Sequence, residues 1–211
     1  MKALVIGASG ATGKELIAAL LEDSRFTEVV IFARRNIGVS HPKLRAHIVD
    51  FKKSESWSDL VVGDVGFSCL GTTLKQAGSK EKQWEVDYQY QYDFARSCAE
   101  NKVSKFVLVS AKGAHSNALF FYRKMKGQLE EAVCSLSFQR LVILRPSLLL
   151  RPNSDRAGER LMEKILVFCN KIGILKNYKA VPVSRLASIM IDEAIQDQSG
   201  IYSVEASEIS R

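Results

Sequence analysis

An apolar run, Ala3 to Ile6, leads directly into Gly7-Ala8-Ser9-Gly10-Ala11-Thr12-Gly13. That loop leads in turn into KELIAALLED, whose apolar residues recur at helical spacing. Three glycines spaced by three between a strand and a helix serve three needs. The first permits a tight turn, the second lets backbone approach a pyrophosphate, and the third lets the helix pack closely on the strand. The phosphates then meet the free N–H groups of the helix N-terminus. A glycine pattern alone is a weak signal, and here the strand-turn-helix context supplies its weight. The loop nominates Gly7, Ser9, Gly10, Ala11, Thr12 and Gly13 as dinucleotide-binding residues.

The rest of the chain continues the alternation. Strands are expected at Val29 to Phe32, Arg45 to Val49, Val65 to Cys69, Lys105 to Val109 and Leu141 to Leu144. Helices are expected from Lys80 to Asn101 and from Phe120 to Cys134. Such alternation predicts an α/β fold, a doubly wound parallel sheet covered on both faces. The 211 residues fit a single domain, 1–211, with a short C-terminal lobe at 151–183. In that lobe Asn153 or Ser154 would cap a helix running to about Asn170. A second helix follows the Val181-Pro182-Val183-Ser184 turn, and Ile201 to Val204 reads as a final strand. The lobe is expected over the carboxyl ends of the strands, where ligands bind in such sheets.

Charge narrows the partners. Thirty basic against 23 acidic residues give a net charge of +7, yet the basic residues are scattered, without dense runs or interleaved aromatics. No nucleic-acid partner is expected; an anionic substrate or a phosphorylated cofactor accounts for the excess equally well. Cys69, Cys98, Cys134 and Cys169 are far apart and lack metal-ligand spacing, as do His41, His47 and His115, so no metal is expected. Free thiols suit a reducing compartment, taken here as the cytoplasm, and no run approaches the length of a membrane span.

Two further constellations carry chemistry. At the end of the second strand an acidic residue would bond the 2′-hydroxyl of NAD; here the chain reads Phe32-Ala33-Arg34-Arg35. Guanidinium groups at that point suit a 2′-phosphate, which favours NADP(H). The other set is Ser110, ending the strand KFVLVS, with Tyr122 and Lys126 four residues apart on one helix face. A free tyrosine is a poor acid-base group at neutral pH, and a neighbouring ammonium favours its phenolate. The three converge at one strand terminus, with Tyr122 as proton donor, Lys126 tuning it and Ser110 holding the substrate oxygen. Asp50, after the third strand, is either an adenine-edge ligand or a strand-end cap.

GASGATG, the Arg pair, SAKGA at 110–114, YRKMKGQLE at 122–130, LRPSLLL at 144–150 and DRAGERL at 155–161 occur together and in order. In this the chain resembles the atypical short-chain dehydrogenase/reductases, in a subgroup with the Tat-interacting oxidoreductase and its bacterial relatives. The resemblance implies a Rossmann fold, NADPH binding and the roles given to Ser110, Tyr122 and Lys126. It further implies that Leu70 and Gly71 line the cofactor and that Leu149 and Arg156 close over it. One departure stands out: extended members carry an Asn where this chain reads Val86-Asp87-Tyr88; the subgroup it resembles shares this Asp, so the resemblance holds but does not imply a complete proton relay.

The expected function is NADPH-dependent reduction of a small carbonyl compound by hydride transfer. A second reading is an NADPH-sensing protein that regulates a protein partner with little turnover. A nucleotide-sugar epimerase is disfavoured, because its substrate needs a larger lobe. Oligomeric state is left open, the helices from Lys80 and Phe120 being candidate dimer faces or simply sheet cover.

Overall fold

The computed structural model describes residues 1–150 and 180–210. Seven parallel strands form the central sheet: β1 (Lys2–Ile6), β2 (Glu28–Ala33), β3 (Leu44–Ile48), β4 (Val65–Ser68), β5 (Lys105–Val109), β6 (Arg140–Arg145) and β9 (Gly200–Glu205). Their order is β3-β2-β1-β4-β5-β6-β9. A two-strand parallel pair, β7 (Leu149–Leu150) and β8 (Val181–Pro182), lies apart from it. The helices are α1 (Ala11–Glu22), α2 (Leu74–Ala77), α3 (Lys80–Trp84), α4 (Tyr90–Glu100), α5 (Phe121–Cys134), α6 (Val183–Ala194) and α7 (Ala206–Ile209).

A parallel strand covered on both faces must be apolar on both, and β1 shows why the sequence meets that demand. Ala3, Leu4, Val5 and Ile6 are all fully buried, but alternate residues serve opposite layers. Ala3 and Val5 join Leu16 and Leu20 of α1 and Leu186 and Met190 of α6. Leu4 and Ile6 join Phe94 of α4, Phe106 of β5 and Leu129 and Val133 of α5. The sheet is thus doubly wound, with one hydrophobic layer on each side.

The winding creates the site. From β1 the chain runs outward through β2 and β3, then crosses to β4 and runs the other way. The connections after β1 and β4 therefore diverge at the carboxyl edge, leaving a crevice between them. Ile6 of β1 pairs with Phe32 of β2 on one side and with Ser68 of β4 on the other. The loops after these three strands consequently open at one level.

Three expectations are corrected. The helix read from Lys80 to Asn101 is interrupted by a wide π turn, Glu85–Gln89, between α3 and α4. Val181-Pro182 is strand rather than turn, paired with Leu149-Leu150, and α6 begins at Val183. The third strand spans Leu44–Ile48, one residue earlier than read. The helix expected from Asn153 or Ser154 to Asn170 lies outside the described residues, as does most of the 151–183 lobe.

Candidate functional site

The glycine loop is held by contacts no other residue would fit. Gly7 has φ +83°, and a Cβ there would lie 2.5 Å from the carbonyl carbon of Cys69. A Cβ on Gly13 would overlap the carbonyl oxygen of Gly7, so α1 packs on the strand end only because that position is bare. Gly10 caps α1 with extended backbone and no side-chain hydrogen bond, and its N–H donates to the Gly7 carbonyl at 2.9 Å. The first turn of α1 thus keeps unpaired N–H groups for an anion. Thr12 and Gly13 are buried beneath it.

The loop borders two adjoining clefts. The larger, of about 550 Å³, is bounded by Gly7, Ser9, Gly10, Leu70 and Gly71. The smaller, of about 350 Å³, is walled by Phe32, Phe51 and Leu70, with Arg34 and Arg35 at its edge. Both arginines follow β2 directly and are exposed. Asp50 sits outside both clefts. Its carboxylate accepts the Lys52 N–H at 3.0 Å and its carbonyl accepts the Trp57 indole N–H at 3.1 Å, which is the cap geometry of a strand-end turn. Sequence reasoning missed Lys52 and Glu85, which also border the larger cleft and form an ion pair at 3.2 Å. They lie 33 residues apart, beyond any spacing rule.

At the far side of the switch, α5 carries the Tyr-Lys pair. Tyr122, in its first turn, is 39% exposed. Lys126, one turn later, is 1% exposed, and among the described residues its Nζ has no hydrogen-bond partner. Burial pushes the Lys126 ammonium below its ordinary range, with Asp87 and then Glu130 pulling it back. Asp87, fully buried in the π turn, accepts the Thr72 N–H at 3.1 Å. Burial raises its carboxyl to about 6, opposed by Lys126 and the Thr72 bond.

Ser110 is placed differently from Tyr122. It is 4% exposed, and its Oγ donates to Glu130 Oε1. Glu130 also accepts two bonds from one edge of the Arg145 guanidinium, from Nη2 at 2.6 Å and Nε at 3.1 Å, and the Arg145 Nη1 donates to Glu205 at 2.7 Å. The single Ser110 proton is therefore engaged by a buried carboxylate that ties α5 to β5, β6 and β9. The SAKGA loop that follows is pressed on α5 at Gly127, where a Cβ would overlap the backbone of His115. His115 itself is a turn residue, its Nδ1 accepting the Asn117 N–H at 3.1 Å. Leu149 is half-buried in β7 opposite Val181. Arg156 lies outside the described residues.

The cradle fits a dinucleotide on its own geometry. Bare glycine faces and open helix N–H groups are the features a pyrophosphate requires; Lys126, whose Nζ has no hydrogen-bond partner among the described residues, lines neither of the two clefts.

Comparison with known proteins agrees. Residues 7–165 match the family described as NAD(P)H-binding. The mitochondrial protein FMP52 of Eremothecium gossypii is 34% identical, over 99% of this chain and 96% of its own. HTATIP2 of Rattus norvegicus is 32% identical over 93% of this chain and 82% of its own. MoeE5, solved with UDP-glucuronic acid and NAD, superposes with a TM-score of 0.76 at 16% identity, over 98% of this chain and 76% of its own. At that identity the likeness shows the fold alone. The cytoplasmic expectation is overturned, because the FMP52 relatives are mitochondrial by name. The three described cysteines are unpaired, which does not distinguish one compartment from another.

Proposed function

Because this chain belongs to the NAD(P)H-binding atypical short-chain dehydrogenase/reductases, we propose that it is an NADPH-dependent reductase of small carbonyl compounds. The observation that carries the reading is the pairing of the bare glycine loop with Arg34 and Arg35 at the edge of the same cleft. With two guanidinium groups and no acid at the end of β2, a 2′-phosphate is favoured over a free hydroxyl. When bound, the cofactor supplies the hydride.

The chain's own residues then manage the oxygen. Tyr122 gives its proton to the alkoxide that develops as the carbonyl is reduced. Lys126 holds the nicotinamide ribose and keeps the phenol acidic enough to donate. Ser110 supports this arrangement by holding the strand end through Glu130; to donate to a substrate carbonyl oxygen, its hydroxyl would have to leave Glu130. The test is NADPH oxidation against a panel of aldehydes, ketones and quinones, with Tyr122→Phe as control. No turnover of any of them, with tight NADPH binding, would overturn the reductase reading.

That engaged Ser110 proton is also the specific observation favouring a second reading. A protein that senses NADPH and answers to a protein partner has no need of a hydroxyl aimed at substrate.

A further inference from the structure

Lys126 is a buried amine whose charged form needs a counter-charge. Two carboxylates interact with it, Glu130 on its own helix and Asp87 on the π turn packed against that helix. Glu130 is already committed: it accepts Ser110 Oγ and is gripped by Arg145. Asp87 accepts the Thr72 N–H, through one oxygen at 3.1 Å and the other at 3.3 Å, and has no cationic partner within ion-pair distance among the described residues. The wide turn at Glu85–Gln89 brings this carboxylate into the buried interior beside α5. Single π turns recur where a helix must re-aim a functional side chain. Thr72 follows Leu70 and Gly71, which border the larger cleft.

We propose that Asp87 is a positioning residue: its carboxylate is the counter-charge of Lys126 and, through the Thr72 N–H, ties that lysine to the Leu70-Gly71-Thr72 wall of the cleft. A neutral amide at this position would keep the Thr72 bond and abandon the charge. The cofactor half of this inference rests on the function proposed above; the charge pairing does not. It follows that the ammonium of Lys126 survives burial because of a residue on another helix, and that its grip on a ribose depends on that residue.

The experiment begins without cofactor. In the ligand-free chain carrying 13C-labelled lysine, the Lys126 Cε resonance, identified by its loss in Lys126→Met, is followed from pH 4 to 11. In Asp87→Asn its midpoint should fall by about one pH unit or more, since burial is then opposed by Glu130 alone. In the wild-type chain the same resonance should also register an inflection near pH 6, as Asp87 loses its proton. An unmoved midpoint overturns the proposal. Should Asp87→Asn not fold, the absence of the wild-type inflection overturns it equally.

NADPH affinity adds the second arm. Asp87→Asn should weaken binding about tenfold, as expected for one charge-assisted hydrogen bond, and should cost nothing further in the Lys126→Met background. Equal losses in both backgrounds would mean that Asp87 merely shapes the Thr72 loop, and would refute the inference. If the lysine midpoint moves but the wild-type chain does not bind NADPH, the cofactor reading fails while the pairing stands.

Discussion

The carbonyl oxygen of Gly7 lies where a side chain on Gly13 would begin, whereas a Cβ on Gly10 would stand 3.2 Å from the same oxygen with nothing else near. The two glycines therefore fail differently. Gly13→Ala forces α1 away from the end of β1, and a loss of about 2–3 kcal/mol is expected, as for an overpacked core position. Gly10→Val sets its Cβ tightly against the Gly7 carbonyl oxygen and meets no other atom there. It should melt within about 1 kcal/mol of the wild type, the scale of an N-cap change, yet bind no NADPH. Thermal melts paired with calorimetric titration separate the two. Normal NADPH affinity in Gly10→Val would disprove the assignment of the loop.

Arg34 and Arg35 set the cofactor preference. They extend from β2 beside the smaller cleft and are exposed to whatever enters it. NADPH should bind more tightly than NADH. Replacing both arginines by alanine should cost the NADPH complex about 2–3 kcal/mol, the worth of charge-assisted bonds to one phosphate, and leave NADH nearly unchanged. Calorimetry with both cofactors checks this, and equal wild-type affinities would sink it.

Asp87 gives stability a pH signature of definite sign. Its carboxyl is raised from 3.8 to about 6 in the folded chain, chiefly by burial. Between these values the folded state keeps a proton that the unfolded state has released. The group's contribution is thus full below about pH 4 and is lost as pH rises through 6. At two pH units this amounts to about 3 kcal/mol at most. Asp87→Asn has no such proton to lose. Its melting temperature, taken relative to the wild type, should climb by roughly 5 °C between pH 4 and pH 6. A flat difference would show that Asp87 is not burdened by burial.

Cys69 is half-buried at the border of the larger cleft, beside Gly7, and desolvation pushes its thiol up to about 12. At pH 8 its thiolate fraction is then on the order of 10⁻⁴, against roughly a quarter for a free cysteine. Native-state alkylation with iodoacetamide, read by mass spectrometry, should leave Cys69 unmodified over hours. Rapid labelling of Cys69 would contradict that environment.

What could be read from sequence follows from range. β1 and the loop after it form a local signal, because Ala3 to Gly13 carry the strand, the turn and the close packing within one stretch. The doubly wound parallel class follows from the alternation, since crossovers of helical length admit few windings, while the strand order itself came from the structure. The π turn was illegible, for a helix that widens by one residue keeps an ordinary composition over Glu85–Gln89. Asp87 was noticed only as a departure. Its meaning depends on Lys126, 39 residues away, and on Arg145 having already taken Glu130. The strand position of Ser110 was correct, but the direction of its hydroxyl was not legible. Which face a strand-end side chain takes is decided by the helix packed on it, and Glu130 is that helix's contribution.

Tyr122 bears the last prediction. The tyrosine sits one turn before Lys126 and keeps 39% of its surface exposed, so a ligand can reach it, while Lys126 is 1% exposed. That division suits a proton donor backed by a buried cation. Tyr122→Phe keeps the ring and removes only the hydroxyl, so cofactor affinity should change less than twofold, the ribose being held by Lys126. Turnover should fall by about 10²–10⁴-fold, the usual cost of losing a positioned general acid. Lys126→Met should lower both quantities, since one ammonium serves both tasks. Steady-state kinetics on any carbonyl substrate found, with NADPH affinity measured in parallel, distinguishes these patterns. If Tyr122→Phe retains full turnover, the proton comes from elsewhere. Asp87, with its carboxyl raised to about 6 and its place beside Lys126, then becomes the group to replace next.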